Sequence, residues 1–90
     1  MKIAHVFISG FVQGVGLRYF IRRKALDFGL GGWVRNLPDG RVEVIFQGSD
    51  EKIKEIIILC RKGPFLAEVK NVEVAWEETK EEFKNFEIVM

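Results

Sequence analysis

Gly31-Gly32-Trp33-Val34-Arg35-Asn36-Leu37-Pro38-Asp39-Gly40-Arg41-Val42-Glu43-Val44-Ile45-Phe46-Gln47 is the stretch on which the fold turns. Residues 31–36 read as a strand, Leu37-Pro38-Asp39-Gly40 as a turn, and residues 41–47 as a second strand. Proline presets the second turn position and Gly40 suits the last, so the pair is expected to close as a hairpin. Val42, Val44 and Phe46 point one way, Glu43 and Gln47 the other. On either side of this hairpin the apolar period becomes helical. Upstream, Leu17, Ile21, Ala25 and Phe28 recur at helix spacing, Arg22, Arg23, Lys24 and Asp27 fall mostly on other faces, and Gly29 is placed to cap the end. Downstream, Gly48-Ser49-Asp50-Glu51 opens a second helix with Ser49 or Asp50 as N-cap, and Ile53, Ile56, Ile57 and Cys60 form its apolar stripe before Gly63-Pro64 stops it. Further out, residues 3–9 alternate as a strand. Val72, Val74 and Trp76 alternate with Glu73 and Glu77 in another, and Phe86 to Met90 forms a short last strand after a charged turn.

The order β-α-β-β-α-β with a small extra strand is the ferredoxin-like, split βαβ arrangement: an α+β sandwich with two helices on one face of an antiparallel sheet. The 90 residues are expected to form one domain, without repeats, linkers or low-complexity tracts. Apolar residues at 48% and charged residues at 30% fit a globular chain. Cys60 is the single cysteine, which excludes an internal disulfide and points to a reducing compartment. The longest apolar run, Ile56 to Cys60, is far too short to span a bilayer, and the N-terminus lacks the pattern of a signal peptide. The expected setting is therefore the cytoplasm, with no membrane partner. A net charge of +1 argues against broad nucleic-acid binding. That total hides an asymmetry, since residues 1–45 carry seven Lys/Arg against three Asp/Glu while residues 46–90 carry seven against ten. An anion would bind in the first half.

Within that half, Gly10-Phe11-Val12-Gln13-Gly14-Val15-Gly16 joins the first strand to the first helix. Gly14 and Gly16 permit the left-handed angles that let successive N–H groups converge, and the helix N-terminus adds roughly half a positive charge. Arg18 follows in the first turn, and its planar fork of donors matches two phosphate oxygens at once. Phosphate is the anion this combination favours, although glycine loops also serve as plain connectors. The loop is not a Walker motif, because no Gly-Lys-Ser/Thr follows, and it lacks the context of a dinucleotide fingerprint. Cys60 lies far away on an apolar stripe and reads as core. Asn36 ends its strand just before the turn; a turn-favouring asparagine is the plain reading, but an amide there also has the donor and acceptor needed to orient a water molecule.

Gly10-Phe11-Val12-Gln13-Gly14-Val15-Gly16-Leu17-Arg18 closely resembles the first motif of the acylphosphatase family, and Gly32-Trp33-Val34-Arg35-Asn36-Leu37-Pro38-Asp39-Gly40-Arg41-Val42, with Gly48 six residues on, resembles the second. The resemblance extends over nearly all of the chain. It implies hydrolysis of acyl phosphates to a carboxylate and inorganic phosphate, without metal or cofactor. The arginine at the Arg18 position would bind phosphate together with the backbone amides of Gln13, Gly14, Val15, Gly16 and Leu17. The asparagine at the Asn36 position would orient the attacking water. The expected partners are a small acyl phosphate and, as product-like ligands, inorganic phosphate or sulfate; a monomer is expected. Leu17 stands where the family usually carries phenylalanine and is expected to keep its packing role. Phe11 stands where arginine is frequent, removing a positive charge at the loop mouth.

Two other classes compete. The same fold is shared by RNA-recognition modules, and Val6-Phe7-Ile8 resembles their short aromatic strand motif, but Arg41 to Phe46 lacks the longer glycine-and-aromatic partner motif. An accessory domain, like the acylphosphatase-like segment of hydrogenase-maturation carbamoyltransferases, is the other; a chain ending at Met90 favours a stand-alone enzyme. His5, the only histidine, is expected on the sheet face opposite the helices without a clustered acid. Arg22, Arg23 and Lys24 are expected to form a solvated helix face, and Glu77, Glu78, Lys80, Glu81, Glu82 and Lys84 a solvated loop.

Overall fold

The structure, a computed structural model, describes all of residues 1–90. Its elements are β1 (Lys2–Phe11), α1 (Leu17–Asp27), β2 (Gly31–Asn36), β3 (Val42–Gln47), α2 (Asp50–Lys62), β4 (Glu68–Glu78) and β5 (Phe86–Ile88). The sheet order is β4-β1-β3-β2-β5. Ala4, Val6 and Ile8 of β1, Val34 of β2 and Val42, Val44 and Phe46 of β3 meet Leu17, Ile21 and Ala25 of α1 and Ile53, Ile56, Ile57 and Cys60 of α2 in one buried cluster. Both helices therefore cover the same face, as the ferredoxin-like α+β reading requires. Leu17 is fully buried within that cluster and fills the packing role expected of it. Cys60 is core as well, and burial pushes its thiol up to about 12.

The hairpin closes as the turn residues dictate. Gly40 N–H donates to the Leu37 carbonyl at 3.1 Å, and Leu37 N–H to the Arg41 carbonyl at 2.8 Å. Gly29 has φ +68 and ends α1 in a paired motif, its N–H reaching the Leu26 carbonyl while Leu30 N–H reaches that of Ala25. Ser49 is the N-cap of α2 and accepts from Lys52 N–H at 3.3 Å. β4 begins four residues earlier than Val72, at Glu68, and a bulge between Ser9 and Gly10 keeps it paired with β1 as far as Phe11.

The sheet is mixed rather than purely antiparallel. β5 pairs parallel with β2, through Gly32–Phe86, Trp33–Glu87 and Val34–Ile88. The cause is topological: the chain reverses after β4 and crosses to the far edge, where β2 already runs opposite to β4. Gln47, at the end of β3, catches the crossing segment by donating to the Glu81 carbonyl at 2.8 Å and accepting from Phe83 N–H at 2.7 Å.

Two expectations are overturned on the helix-free face. His5 does lie there, but not apart from acids: its Nε2 is 2.6 Å from Glu43 Oε2 and its Nδ1 is 3.1 Å from Glu77 Oε2. Glu77 and Glu78 belong to β4 rather than to a solvated loop, and the register sets Glu77 beside β1. Sequence spacing hides this because the partners come from three strands. Arg35 Nε donates to the second oxygen of Glu43, also at 2.6 Å, so a carboxylate with its side chain only 8% exposed is satisfied on both sides. Burial pushes the Glu43 carboxyl up, but the hydrogen bonds from His5 and Arg35 and their charges together outweigh it and leave it below the usual 4.5.

A carboxylate held low in the folded state contributes stability above its unfolded value and loses it as pH falls through the folded value. Glu43→Gln is therefore expected to cost about 2 kcal/mol at pH 7, the scale of hydrogen bonds to a charged group. The deficit relative to the unsubstituted chain should shrink as pH falls below 4.5, which urea denaturation at a series of pH values measures.

Candidate active site

β1 ends at Phe11, and the chain reaches α1 through Val12–Gly16. Gly14 and Gly16 have φ of +76 and +82. A side chain at either position would meet open space, so it is backbone angle rather than room that calls for glycine there. Val12 is buried and Val15 packs against the core, which anchors both halves of the loop from below. Gln13 holds it from the side: its Nε2 donates to the carbonyls of Leu37 at 2.8 Å and Arg41 at 2.9 Å. A loop at residue 13 is thus fastened to the hairpin next to Asn36.

The two helix starts differ in what they do with their free donors. α2 has a serine cap and Asp50 and Glu51 in its first turn. α1 has Gly16 as N-cap, no side-chain cap and no acid in its first turn. Its first backbone bond runs from Phe20 N–H to the Gly16 carbonyl at 3.0 Å. None of the N–H groups from Gln13 to Tyr19 donates to another protein atom. Five of these residues, Gly14, Gly16, Leu17, Arg18 and Tyr19, line a pocket of about 200 Å³ together with Val12. Arg18 is half-buried and forms no ion pair, whereas Arg35 and Arg41 are paired with Glu43 and Asp39. A positive helix end, a row of open amides and an uncommitted guanidinium together favour an anion.

Asn36 does not line this pocket. The register puts it opposite Val42, which is opposite Ile8, so its side chain faces the helix side of the sheet in the last row in which β1 pairs with β3. Asn36 Oδ1 is buried and has no hydrogen-bond partner. Gln13 and Val15 also stay outside the pocket lining, because their side chains serve the hairpin tie and the core; they can contribute to it through their amides. Two features escape a reading of the sequence: the side-chain tie of Gln13, and Tyr19, a pocket wall whose only signal is an aromatic next to Arg18 in the first helical turn. Arg22 and Arg23 are exposed, as expected. A second cavity, of about 270 Å³, lies where Gly32 and Trp33 meet residues 82–89, but it holds the carboxylates of Glu82 and Glu87 and suits an anion poorly.

The architecture places the chain in the class of ferredoxin-like α+β domains, a class whose fold alone leaves function open. The acylphosphatase family model matches residues 4–88. An acylphosphatase of Syntrophobacter fumaroxidans is 49% identical over 85 residues, covering 94% of this chain and 88% of that protein. The crystal structure of acylphosphatase from Bacillus subtilis superimposes with a TM-score of 0.96 at 32% identity, each chain fully covered. Full-length HypF in its phosphate- and nucleotide-bound form contains a similar region, with TM-score 0.85 and 29% identity, which accounts for 12% of that chain. This chain belongs to the acylphosphatase family, and it is a hydrolase of acyl phosphates.

Gln13→Leu removes both bonds to the hairpin. Stability is expected to fall by about 1–2 kcal/mol, since each hydrogen bond contributes on the order of 1 kcal/mol. Acyl phosphate turnover should fall by roughly tenfold or more, because catalytic geometry tolerates little displacement. Urea denaturation and steady-state kinetics on the same preparation measure the two effects.

Proposed function

We propose that Arg18 and the backbone amides of Gln13, Gly14, Val15, Gly16 and Leu17 bind the phosphoryl group of an acyl phosphate, and that Asn36 orients the attacking water. The observation that carries this reading is the row of open N–H donors from Gln13 to Tyr19 beside an arginine with no carboxylate partner. Three phosphoryl oxygens need many donors, and none here is already committed. The buried Oδ1 of Asn36 supports the second half: it can accept a hydrogen bond from a water O–H and so turn a lone pair of that water towards phosphorus.

The chemistry needs little else. A carboxylate is a leaving group of low basicity, so no general acid is required. The water oxygen forms its bond to phosphorus as the bond to the acyl oxygen breaks, the carboxylate departs with the electron pair, and the phosphate takes up the water's proton. A loose phosphoryl transition state asks chiefly for alignment and charge stabilisation, which Arg18 and the amides supply. The setting belongs to the same proposal: residues 1–90 act as one domain, a cytoplasmic monomer without a nucleic-acid partner. The buried, unpaired Cys60 and the net charge of +1 favour it. Glu43, Glu73, Glu77 and Glu87 on the helix-free face speak against RNA there. The likeness to a region of HypF supports a second reading, an accessory domain of a larger enzyme.

The purified chain is expected to hydrolyse benzoyl phosphate in EDTA at the same rate as without it. Arg18→Ala should lose kcat/KM by on the order of 10²–10³ or more and lose product inhibition by phosphate. Asn36→Ala should lose kcat by about 10²-fold while its phosphate inhibition constant stays within about threefold. Equal, mild losses in both variants, or a chain inactive on acyl phosphates, would contradict these roles.

A further inference from the structure

Arg61-Lys62-Gly63-Pro64-Phe65-Leu66-Ala67-Glu68-Val69-Lys70 leads from the end of α2 into β4, and none of these residues lines either pocket. The turn within it is firmly built. Ala67 N–H donates to the Pro64 carbonyl at 3.0 Å. Gly63, at φ +67, comes so close that a Cβ there would stand 3.2 Å from Ala67 Cβ and from Val69 Cγ2. Val69 in turn packs against the core. What the turn displays is apolar: Phe65 is wholly exposed and Leu66 by about two-thirds. Phe11, exposed to a similar degree, lies at the same end of the sheet, because the register pairs it with Glu68, two residues after Leu66. Three of the nine large hydrophobic residues that the fold leaves in water therefore belong to one tip.

Cations flank this tip. Arg61 and Lys62 close α2, and Lys70 lies across Gly10, where a Cβ would stand 3.2 Å from its Cγ. All three are exposed, and none pairs with an acid or lies over an aromatic ring. Glu68 is the only acid of the segment, so three Lys/Arg stand against one acid here, although residues 46–90 as a whole carry seven against ten. An exposed apolar patch marks a surface that a protein or a membrane covers. Area and charge favour the membrane. Two phenyl rings and one leucine are too little for a stable protein pair, since an aromatic side chain buries about 150–250 Å² and a lasting interface takes roughly 800 Å² from each partner. A bilayer needs no matching shape. Side chains on an exposed turn can enter between its headgroups while the cations beside them meet anionic phosphates.

We propose that this tip is a docking surface for an anionic phospholipid bilayer, with Phe65 and Leu66 entering the headgroup region beside Phe11 and with Arg61, Lys62 and Lys70 lying against it. No helix is long and apolar enough to cross a membrane, and short apolar runs exclude a span, but resting on a bilayer requires neither. One turn and three cations make a reversible contact, and salt weakens it because screened charges attract less. Phe65 and Leu66 neither bind phosphate nor orient water, so docking does not depend on the reaction.

Co-sedimentation with vesicles tests this. The unsubstituted chain is expected to bind phosphatidylcholine vesicles containing about 30 mol% phosphatidylserine roughly tenfold or more tightly than phosphatidylcholine alone, since each net cation at such a surface contributes about fivefold. At about 0.5 M salt that preference should largely vanish. Phe65→Ser/Leu66→Ser, whose folding circular dichroism checks, is expected to lose about tenfold in affinity for the anionic vesicles. Phe65→Trp keeps the tip apolar, and its added emission, over that of Trp33 and Trp76 in the unsubstituted chain, should shift to the blue on the same vesicles. Absence of binding by the unsubstituted chain, or equal binding to the two kinds of vesicle, overturns the proposal whether or not either variant folds. So does a folded serine variant that binds as tightly, or an unshifted emission from Phe65→Trp. Self-association in analytical ultracentrifugation that the serine variant abolishes overturns it as well, by making the tip an interface between copies.

Discussion

Two hydrogen bonds from one amide nitrogen hold together the parts of this protein that must work together. Gln13 Nε2 joins the loop after β1 to the carbonyls of Leu37 and Arg41, bridging more than twenty residues of sequence. The loop has little else to define its shape from the side. It contains two glycines at positive φ, donates none of its amides to the protein and opens a helix that has no side-chain cap. Val12, Val15 and Leu17 fasten it to the core below, and Gln13 sets its position relative to the strand that carries Asn36. Any chemistry that needs an anion on one segment and an oriented water on the other depends on that spacing.

The contrast between the helices shows how stability is distributed. α2 spends its N-terminal donors on Ser49 and sets Asp50 and Glu51 against its positive end, which are the stabilising choices. α1 makes none of them, although its interior packs as tightly, with Leu17, Ile21 and Ala25 all buried. The same division separates the arginines. Arg35 and Arg41 are tied to carboxylates and lie over the rings of Trp33 and Phe7, whereas Arg18 has no such partner. Leaving donors and a cation uncommitted gives up local stability at the place where a ligand can use them.

On the opposite face of the sheet, polar groups do structural work. Glu43 would be costly to bury alone, and His5 and Arg35 supply the partners that make its burial tolerable. Gln47 performs a similar task at the end of β3, where it fixes the segment that carries the chain across to β5. The central strand can thus be buried along all six residues although only alternate ones face the helices.

Periodicity and turn chemistry were enough to reveal the elements, because each depends on neighbours in the chain: the 37–40 turn, the Gly29 and Ser49 caps, and the stripes of both helices all lie where local rules put them. The loop glycines, Arg18 and Asn36 were legible for the same reason, as residue types with a conformation or a donor pattern suited to one task. The parallel pairing of β5, the acids around His5 and the Gln13 tie were not. Each brings together residues from segments far apart in the chain, and strand register and tertiary packing, not spacing along the chain, determine which of them touch.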